Sequence, residues 1–208
     1  MTYVSLYLAL YLVGFAALHS LLASLTAKKM ARRHFGPKVD PWYPVLFSII
    51  AVITILPLIF LLIRSPGQVV YVVPRPWIWL FFSAQFLTGI ATMKAFLDAP
   101  HRFLIRAQLA KPQSHDAFSL GISGIYCRIR DPFLLSGLII IWLTPFMTEN
   151  LLLVYFIATI YLLLGSHHWE SRLLVQFGED YVAYRNEVPR MIPQKSKKWH
   201  GCSNKKKY

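Results

Sequence analysis

The clearest apolar stretch of the chain runs from Pro41 to Ile63, with the sequence PWYPVLFSIIAVITILPLIFLLI. It contains no charged side chain, and about 20 apolar residues are enough to cross the hydrocarbon core of a bilayer as an α-helix. Trp42 and Tyr43 stand at its start, as aromatic residues often do at the membrane–water interface. Pro57 lies inside the stretch and is expected to kink the helix. The stretch therefore predicts a transmembrane helix.

The composition of the whole chain agrees with a membrane protein. Of 208 residues, 56% are hydrophobic and 15% are charged, whereas a soluble domain carries about 25% charged residues. The mean hydropathy is +0.47. These values argue against a soluble globular enzyme and against a disordered chain. The 22 Lys and Arg outnumber the 9 Asp and Glu, but they lie between and after the apolar segments, which predicts a role in membrane topology rather than nucleic-acid binding.

Four further segments complete the predicted fold. Residues 1–27 are uncharged with no preceding cluster of positive charge, which indicates a retained helix rather than a cleaved secretory signal. Residues 76–93 form another uncharged stretch, and 133–144 and 151–165 are shorter apolar runs joined by a tight link. We therefore predict an all-α polytopic membrane protein with about five transmembrane segments, the last two forming a short helical hairpin.

The distribution of Lys and Arg predicts the orientation of these segments. Loops 27–41 and 98–132 each hold five, and the tail after residue 165 holds nine, whereas loop 64–76 holds two and loop 145–150 none. Cytoplasmic loops carry the excess of positive charge. We expect the amino terminus outside and the carboxyl terminus in the cytosol, in the inner membrane of a bacterium or the endoplasmic reticulum of a eukaryote. Loop 98–132 and the tail would then lie on one side.

A single membrane domain is predicted for residues 1–193, followed by a basic, disordered cytosolic tail at 194–208. The two cysteines, Cys127 and Cys202, have no zinc-ligand spacing. We expect two incidental thiols and no disulfide framework.

The end of loop 98–132 contains residue types suited to binding a polar ligand. Gly124 can bring the backbone close to a ligand, and Tyr126 offers an aromatic ring and a hydroxyl group. Arg130 can bind a carboxylate or phosphate with two hydrogen bonds. A structural interpretation competes with this one, since Asp131 and Pro132 form a favourable helix start and Arg130 can act as a topology anchor.

Three further positions are candidates outside this loop. Glu170 follows the last apolar segment, where a carboxylate can hold a cationic group of a ligand. His167 and His168 precede it, but adjacent histidines point in different directions on a helix and suit metal binding poorly. His19 lies in the first segment and is either functional or a neutral histidine bonded to a neighbouring helix.

Several motifs occur in a characteristic order. They are Gly124-Ile-Tyr126, Arg130-Asp131-Pro132, the acid Glu170, the run Phe177-Gly178-Glu179-Asp180-Tyr181-Val182-Ala183-Tyr184, and the run Val188-Pro189-Arg190-Met191-Ile192-Pro193. This order resembles the isoprenylcysteine carboxyl methyltransferase and phospholipid methyltransferase superfamily. The hairpin 142–150 and the early run 19–24 resemble its bacterial methanethiol S-methyltransferase-like branch.

The resemblance implies a multispan methyltransferase that uses S-adenosyl-L-methionine. In that family an Arg-His-Pro loop and an acidic pair form a cytosolic cofactor pocket, and the acceptor enters from the membrane. The cofactor-binding residues implied here are Leu120, Gly121, Gly124, Tyr126, Arg130, Asp131, Pro132, Leu134 and Glu170. No catalytic residue and no metal ligand is implied.

This chain departs from the family pattern around the cofactor pocket. Asp131 replaces the histidine of Arg-His-Pro, Leu134 replaces a tyrosine, and Ser136 replaces a glycine, with Gly137 displaced by one position. The acidic pair is reduced to Trp169-Glu170. Asp131 adds negative charge where the family has an imidazole, and an ionised carboxylate cannot donate a hydrogen bond.

Three functions remain open from the sequence. The first is a methyltransferase that acts on a lipophilic or small thiol, carboxylate or amine, with the lipid bilayer and the acceptor as partners and no nucleic acid. The second is a catalytically weakened relative that binds a ligand or a partner in the membrane. The third is a haem or transport protein that uses His19 with His167 or His168.

Overall fold

The computed structural model describes residues 3–98, 122–194 and 198–202. Seven α-helices and two short strands lie in these ranges. They are α1 (Tyr3–Ala23), α2 (Leu25–Phe35), α3 (Tyr43–Arg64), β1 (Val69–Val72), α4 (Arg75–Asp98), α5 (Pro132–Trp142), β2 (Phe146–Thr148), α6 (Glu149–Phe177) and α7 (Glu179–Glu187). Single 3-10 turns occupy Pro37–Val39 and Gly124–Cys127. The prediction of an essentially all-α membrane fold is confirmed.

Four helices are long and apolar enough to cross a membrane, namely α1, α3, α4 and α6. Few of their side chains are buried within the protein, and such extensive exposed apolar surface requires a lipid environment. The fifth apolar helix, α5, has 11 residues and is about 16 Å long, which is shorter than the roughly 30 Å hydrocarbon core. The second arm of the predicted hairpin is longer than its apolar run, because α6 continues from residue 149 to residue 177 as one helix.

The described residues form two compact units. The first contains α1, α2, α3, both strands and residues 149–161 of α6. Its apolar core consists of Leu8 and Leu12 of α1, Leu58 of α3 and Val154 of α6. These residues are buried because the helices bring their apolar faces together.

A small antiparallel sheet joins two loops of this first unit. β1 pairs with β2 in the register Val69↔Thr148, Tyr71↔Met147 and Val72↔Phe146. Asn150 donates from Nδ2 to the carbonyl oxygen of Ser65 at 2.7 Å. The parts of these two loops that belong to this unit, residues 64–73 and 146–150, therefore lie together. The strands themselves were not predicted, because each has only three or four residues.

The second unit contains α4, residues 122–145 with α5, the remainder of α6, and the chain from α7 onwards. Its core is an apolar and aromatic cluster made of Ala95, Ile122, Tyr126, Cys127, Leu173, Tyr181, Tyr184 and Val188. The cluster packs the 3-10 turn at 124–127 against α6 and α7. The candidate ligand-binding residues are attached to this packed framework.

A disulfide bond joins Cys127 to Cys202, with their Cα atoms 5.8 Å apart. The expectation of two incidental thiols is therefore wrong. The cysteines are separated by 75 positions, and spacing alone could not show that the tail folds back. The backbone N–H of Trp199 donates to the carbonyl oxygen of Cys127 at 3.0 Å, and this hydrogen bond aligns the tail for the disulfide.

Candidate functional site

The turn that opens the candidate loop is held by the last residue of α4. The Asp98 carboxylate accepts a hydrogen bond from the backbone N–H of Ile125 at 3.0 Å. Gly124 has a φ of +59°, and a Cβ atom at this position would overlap the Asp98 carboxylate. Glycine is therefore required here. The close backbone approach that the sequence suggested is made to Asp98.

Tyr126 is packed into the core rather than presented at the surface, with 1% of its surface exposed. Its carbonyl oxygen accepts a hydrogen bond from the Tyr184 hydroxyl group at 2.7 Å. This bond fixes the 3-10 turn to α7. The aromatic ring of Tyr126 thus forms part of the packed cluster beneath the following loop residues.

Arg130 and Glu170 form an ion pair between the loop and α6. Their side chains are 12% and 17% exposed, so the pair is largely shielded from water. Arg130 also donates from Nε to the carbonyl oxygen of Val188 at 2.8 Å, and burial lowers the pKa of its guanidinium group. The Tyr181 hydroxyl group donates to Glu170 Oε1 at 3.4 Å. The two charged residues that the sequence singled out are therefore brought together.

Asp131 has two structural partners. Its Oδ1 atom accepts the backbone N–H of Leu134 at 2.9 Å, so it caps α5 as the sequence predicts. Its Oδ2 atom accepts a hydrogen bond from the Ser166 hydroxyl group. Ser166 in turn accepts a hydrogen bond from Arg190 Nη2 at 2.6 Å. A serine on α6 therefore links the unusual acid of the loop to an arginine of the segment after α7.

The loop and the segment after α7 also run side by side. The backbone N–H of Arg130 donates to the carbonyl oxygen of Pro189 at 3.0 Å, and that of Asp131 donates to the carbonyl oxygen of Arg190 at 2.9 Å. These bonds place the Val188–Pro193 motif beside the Arg130-Asp131-Pro132 motif. Two runs that are about 60 positions apart in the sequence therefore form one polar site.

The remaining predicted site residues lie in different parts of the chain. Pro132 and Leu134 are buried in the first turn of α5, where the proline lacks only an N–H group that the helix does not use. Leu120 and Gly121 lie outside the described residues. Ser166 and Arg190 were not predicted as site residues. The order of the motifs was the only available signal for Arg190, and nothing in the sequence marked Ser166.

The histidines lie in different surroundings. His19 packs against the rings of Phe15, Phe47 and Tyr161, with centroid distances of 5.7, 4.5 and 6.3 Å. His167 and His168 are exposed on α6. In the described part of the chain, no group of three or more His, Cys, Asp or Glu side chains is placed to hold a metal ion.

The chain is similar to several methanethiol S-methyltransferases. The enzyme from Pseudomonas sp. strain GM41 is 29% identical over 198 residues, which cover 90% of this chain and 73% of the relative. The enzyme from Mycobacterium tuberculosis is 29% identical over 192 residues, covering 88% of this chain and 76% of the relative.

The relationship supports the methyltransferase class that the motifs predict. A shorter match, 36% identical over 70 residues, covers 34% of this chain and 27% of methanethiol S-methyltransferase 2 from Bradyrhizobium diazoefficiens. No protein-family model matches the chain, and no solved structure matches it significantly.

Proposed function

We propose that this membrane methyltransferase relative transfers a methyl group from S-adenosyl-L-methionine to a small thiol. The proposal rests on one observation: two pairs of oppositely charged residues lie together at this site. Arg130 pairs with Glu170, and Asp131 is linked to Arg190 through Ser166. The thiol is chosen as acceptor because the relatives with the longest matches are named for methanethiol.

The charges of this site suit the amino-acid end of the cofactor, which carries both a carboxylate and an ammonium group. Arg190 Nε is buried and has no hydrogen-bond partner among the described residues, and a buried unused donor on a charged group is costly unless a ligand satisfies it. Arg190 would bind the carboxylate group. Glu170 is the acid placed to bind the ammonium group. The residues present therefore fit the cofactor.

When bound, S-adenosyl-L-methionine supplies an electrophilic methyl group on a sulfonium centre. The protein's part is to position the donor and acceptor, since orientation of two reactants supplies a large share of the rate of such transfers. The ion pair and the Asp131–Ser166–Arg190 chain hold the polar groups rigidly. The apolar and aromatic cluster that includes Tyr126 and Tyr184 packs behind these polar groups. It limits the access of water to them through the protein interior.

The proposed orientation agrees with a cytosolic cofactor. Loop 98–132 and the tail carry most of the Lys and Arg, so the positive-inside rule assigns both to the cytosol. The site residues between 124 and 190 belong to these two segments and to the end of α6. A small or lipophilic acceptor would approach from the bilayer.

A second candidate function is a weakened relative that binds a ligand without transferring a methyl group. The observation in its favour is that Arg130 and Glu170 neutralise each other. A ligand would have to compete with this pair. Loss of the family histidine at position 131 points in the same direction.

The test is methylation of methanethiol by membranes containing the full chain, with dimethyl sulfide measured in the headspace. We expect product formation that depends on added S-adenosyl-L-methionine. Glu170→Gln should weaken cofactor affinity by about 1.5–3 kcal/mol, the range for hydrogen bonds to charged groups, which is roughly 10- to 150-fold. The matched control is Glu179→Gln, which removes an exposed acid at the start of α7 and should leave affinity unchanged.

The outcomes separate the two candidate functions. Cofactor binding without product, across a panel of thiols, carboxylates and amines, would favour the weakened relative. Absence of cofactor binding by the wild-type chain at millimolar concentration would refute the methyltransferase proposal. Equal effects of Glu170→Gln and Glu179→Gln would remove Glu170 from the site.

A further inference from the structure

The helix α2 carries a dense group of positive charges between two candidate membrane spans. The segment from residue 25 to residue 42 has five Lys and Arg and a single acid, Asp40. Asp40 is buried and pairs with Arg32 at 3.6 Å. Lys29 and Arg33 are exposed, and neither forms a salt bridge within the described residues. The positive charges of Lys29 and Arg33 are therefore available to a partner.

The geometry at both ends of α2 holds it at the membrane face. Ser24 has an extended backbone and caps the helix through its hydroxyl oxygen, which accepts the N–H of Ala27 at 3.1 Å. The chain therefore turns between α1 and α2. The Tyr43 hydroxyl group donates to the carbonyl oxygen of Leu22 at 2.6 Å. This bond joins the end of α1 to the start of α3, so the intervening helix stays close to the point where both spans leave the membrane.

The two sides of α2 have opposite chemical character. At 3.6 residues per turn, Lys28, Lys29, Arg32 and Arg33 occupy one side. Met30 lies on the opposite side, with Phe35 at its edge, and these residues are 59% and 74% exposed. A helix with a basic side and an exposed apolar side is suited to lie in the interface of a membrane, with its apolar side towards the acyl chains.

We propose that α2 is an interfacial helix that binds the headgroups of anionic phospholipids. Its exposed cations are complementary to anionic phosphate groups, and a charge near an anionic leaflet contributes about fivefold to binding. The adjacent apolar side chains favour a lipid over a soluble phosphate ester, because only a lipid supplies acyl chains beside the headgroup. The proposal does not depend on the methyltransferase function.

The test uses the full chain in phosphocholine micelles, titrated with short-chain phosphatidylglycerol and followed by native mass spectrometry. We expect saturable binding that weakens as the salt concentration rises. The double variant Lys29→Gln with Arg33→Gln should bind roughly 25-fold more weakly, from two charges at about fivefold each. The control is Arg64→Gln with Arg75→Gln, which removes the same charge at the end of α3 and the start of α4. The control should bind as the wild type does.

Two results would overturn the proposal. One is equal affinity of the wild type and the Lys29/Arg33 variant for phosphatidylglycerol. The other is equally tight binding of glycerol phosphate by the wild type, which would indicate a soluble anion as the partner. The salt dependence is measured on the wild type, so the proposal remains testable if the double variant does not fold.

Discussion

Replacing Asp131 by asparagine tests the polar chain that links the loop, α6 and the segment after α7. The asparagine side chain would keep an oxygen for the cap on Leu134 N, whose N–H Asp131 accepts at 2.9 Å. Its amide nitrogen would then face Ser166, whose hydroxyl group now donates to Asp131. Since Ser166 already accepts from Arg190, its own proton would lose its acceptor.

The expected loss of stability follows from this exchange of a hydrogen-bond acceptor for a donor. Ser166 is buried, with 9% of its surface exposed, and a buried donor without a partner costs about 1–3 kcal/mol. Asp131→Asn should therefore lower the free energy of unfolding by about that amount. Asp131→Ala should lose the helix cap as well, at an additional cost of about 0.5–2 kcal/mol. Because the same chain of hydrogen bonds orients Arg190, cofactor affinity should fall in both variants.

The measurements are the thermal unfolding midpoint of detergent-solubilised protein and calorimetric titration with S-adenosyl-L-methionine. Asp180→Asn is the matched control, because Asp180 is an exposed acid of α7. A midpoint and an affinity of Asp131→Asn that both match the control would refute the linked chain. Lost affinity with an unchanged midpoint would instead indicate direct contact between Asp131 and the cofactor.

Two further predictions concern the framework of the second unit. Gly124→Ala should destabilise the protein by about 1–3 kcal/mol, because Gly124 has a φ of +59° and faces the Asp98 carboxylate; an unfolding midpoint equal to that of the wild type would contradict this. Cys202→Ser should lower stability by about 2–4 kcal/mol through loss of the disulfide. A reductant should lower the unfolding midpoint of the wild type to that of the variant and leave the variant unaffected. An unfolding midpoint of the wild type that does not change with reductant would count against the disulfide.

The membrane fold could be predicted from the sequence because transmembrane helices depend on local composition. A run such as 41–63 has to form its hydrogen bonds internally once it lies in lipid, so hydrophobicity and length decide its structure. The result is α3, Tyr43–Arg64. The same reasoning located α1, α4 and the start of α6. The helix α6 continues beyond its apolar run, because the polar segment that follows packs against the 3-10 turn and α7.

The residue types of the site could be read from local sequence motifs, whereas the contacts between these residues follow from the packing of the folded chain. Arg130, Asp131 and Glu170 were found because their types and order match a pattern. The ion pair of Arg130 with Glu170, the bridge through Ser166 and the disulfide of Cys127 with Cys202 depend on contacts between distant segments. Such contacts form when helices pack and are not encoded in any local periodicity, so a buried serine or a tail cysteine shows its role only once the chain has folded.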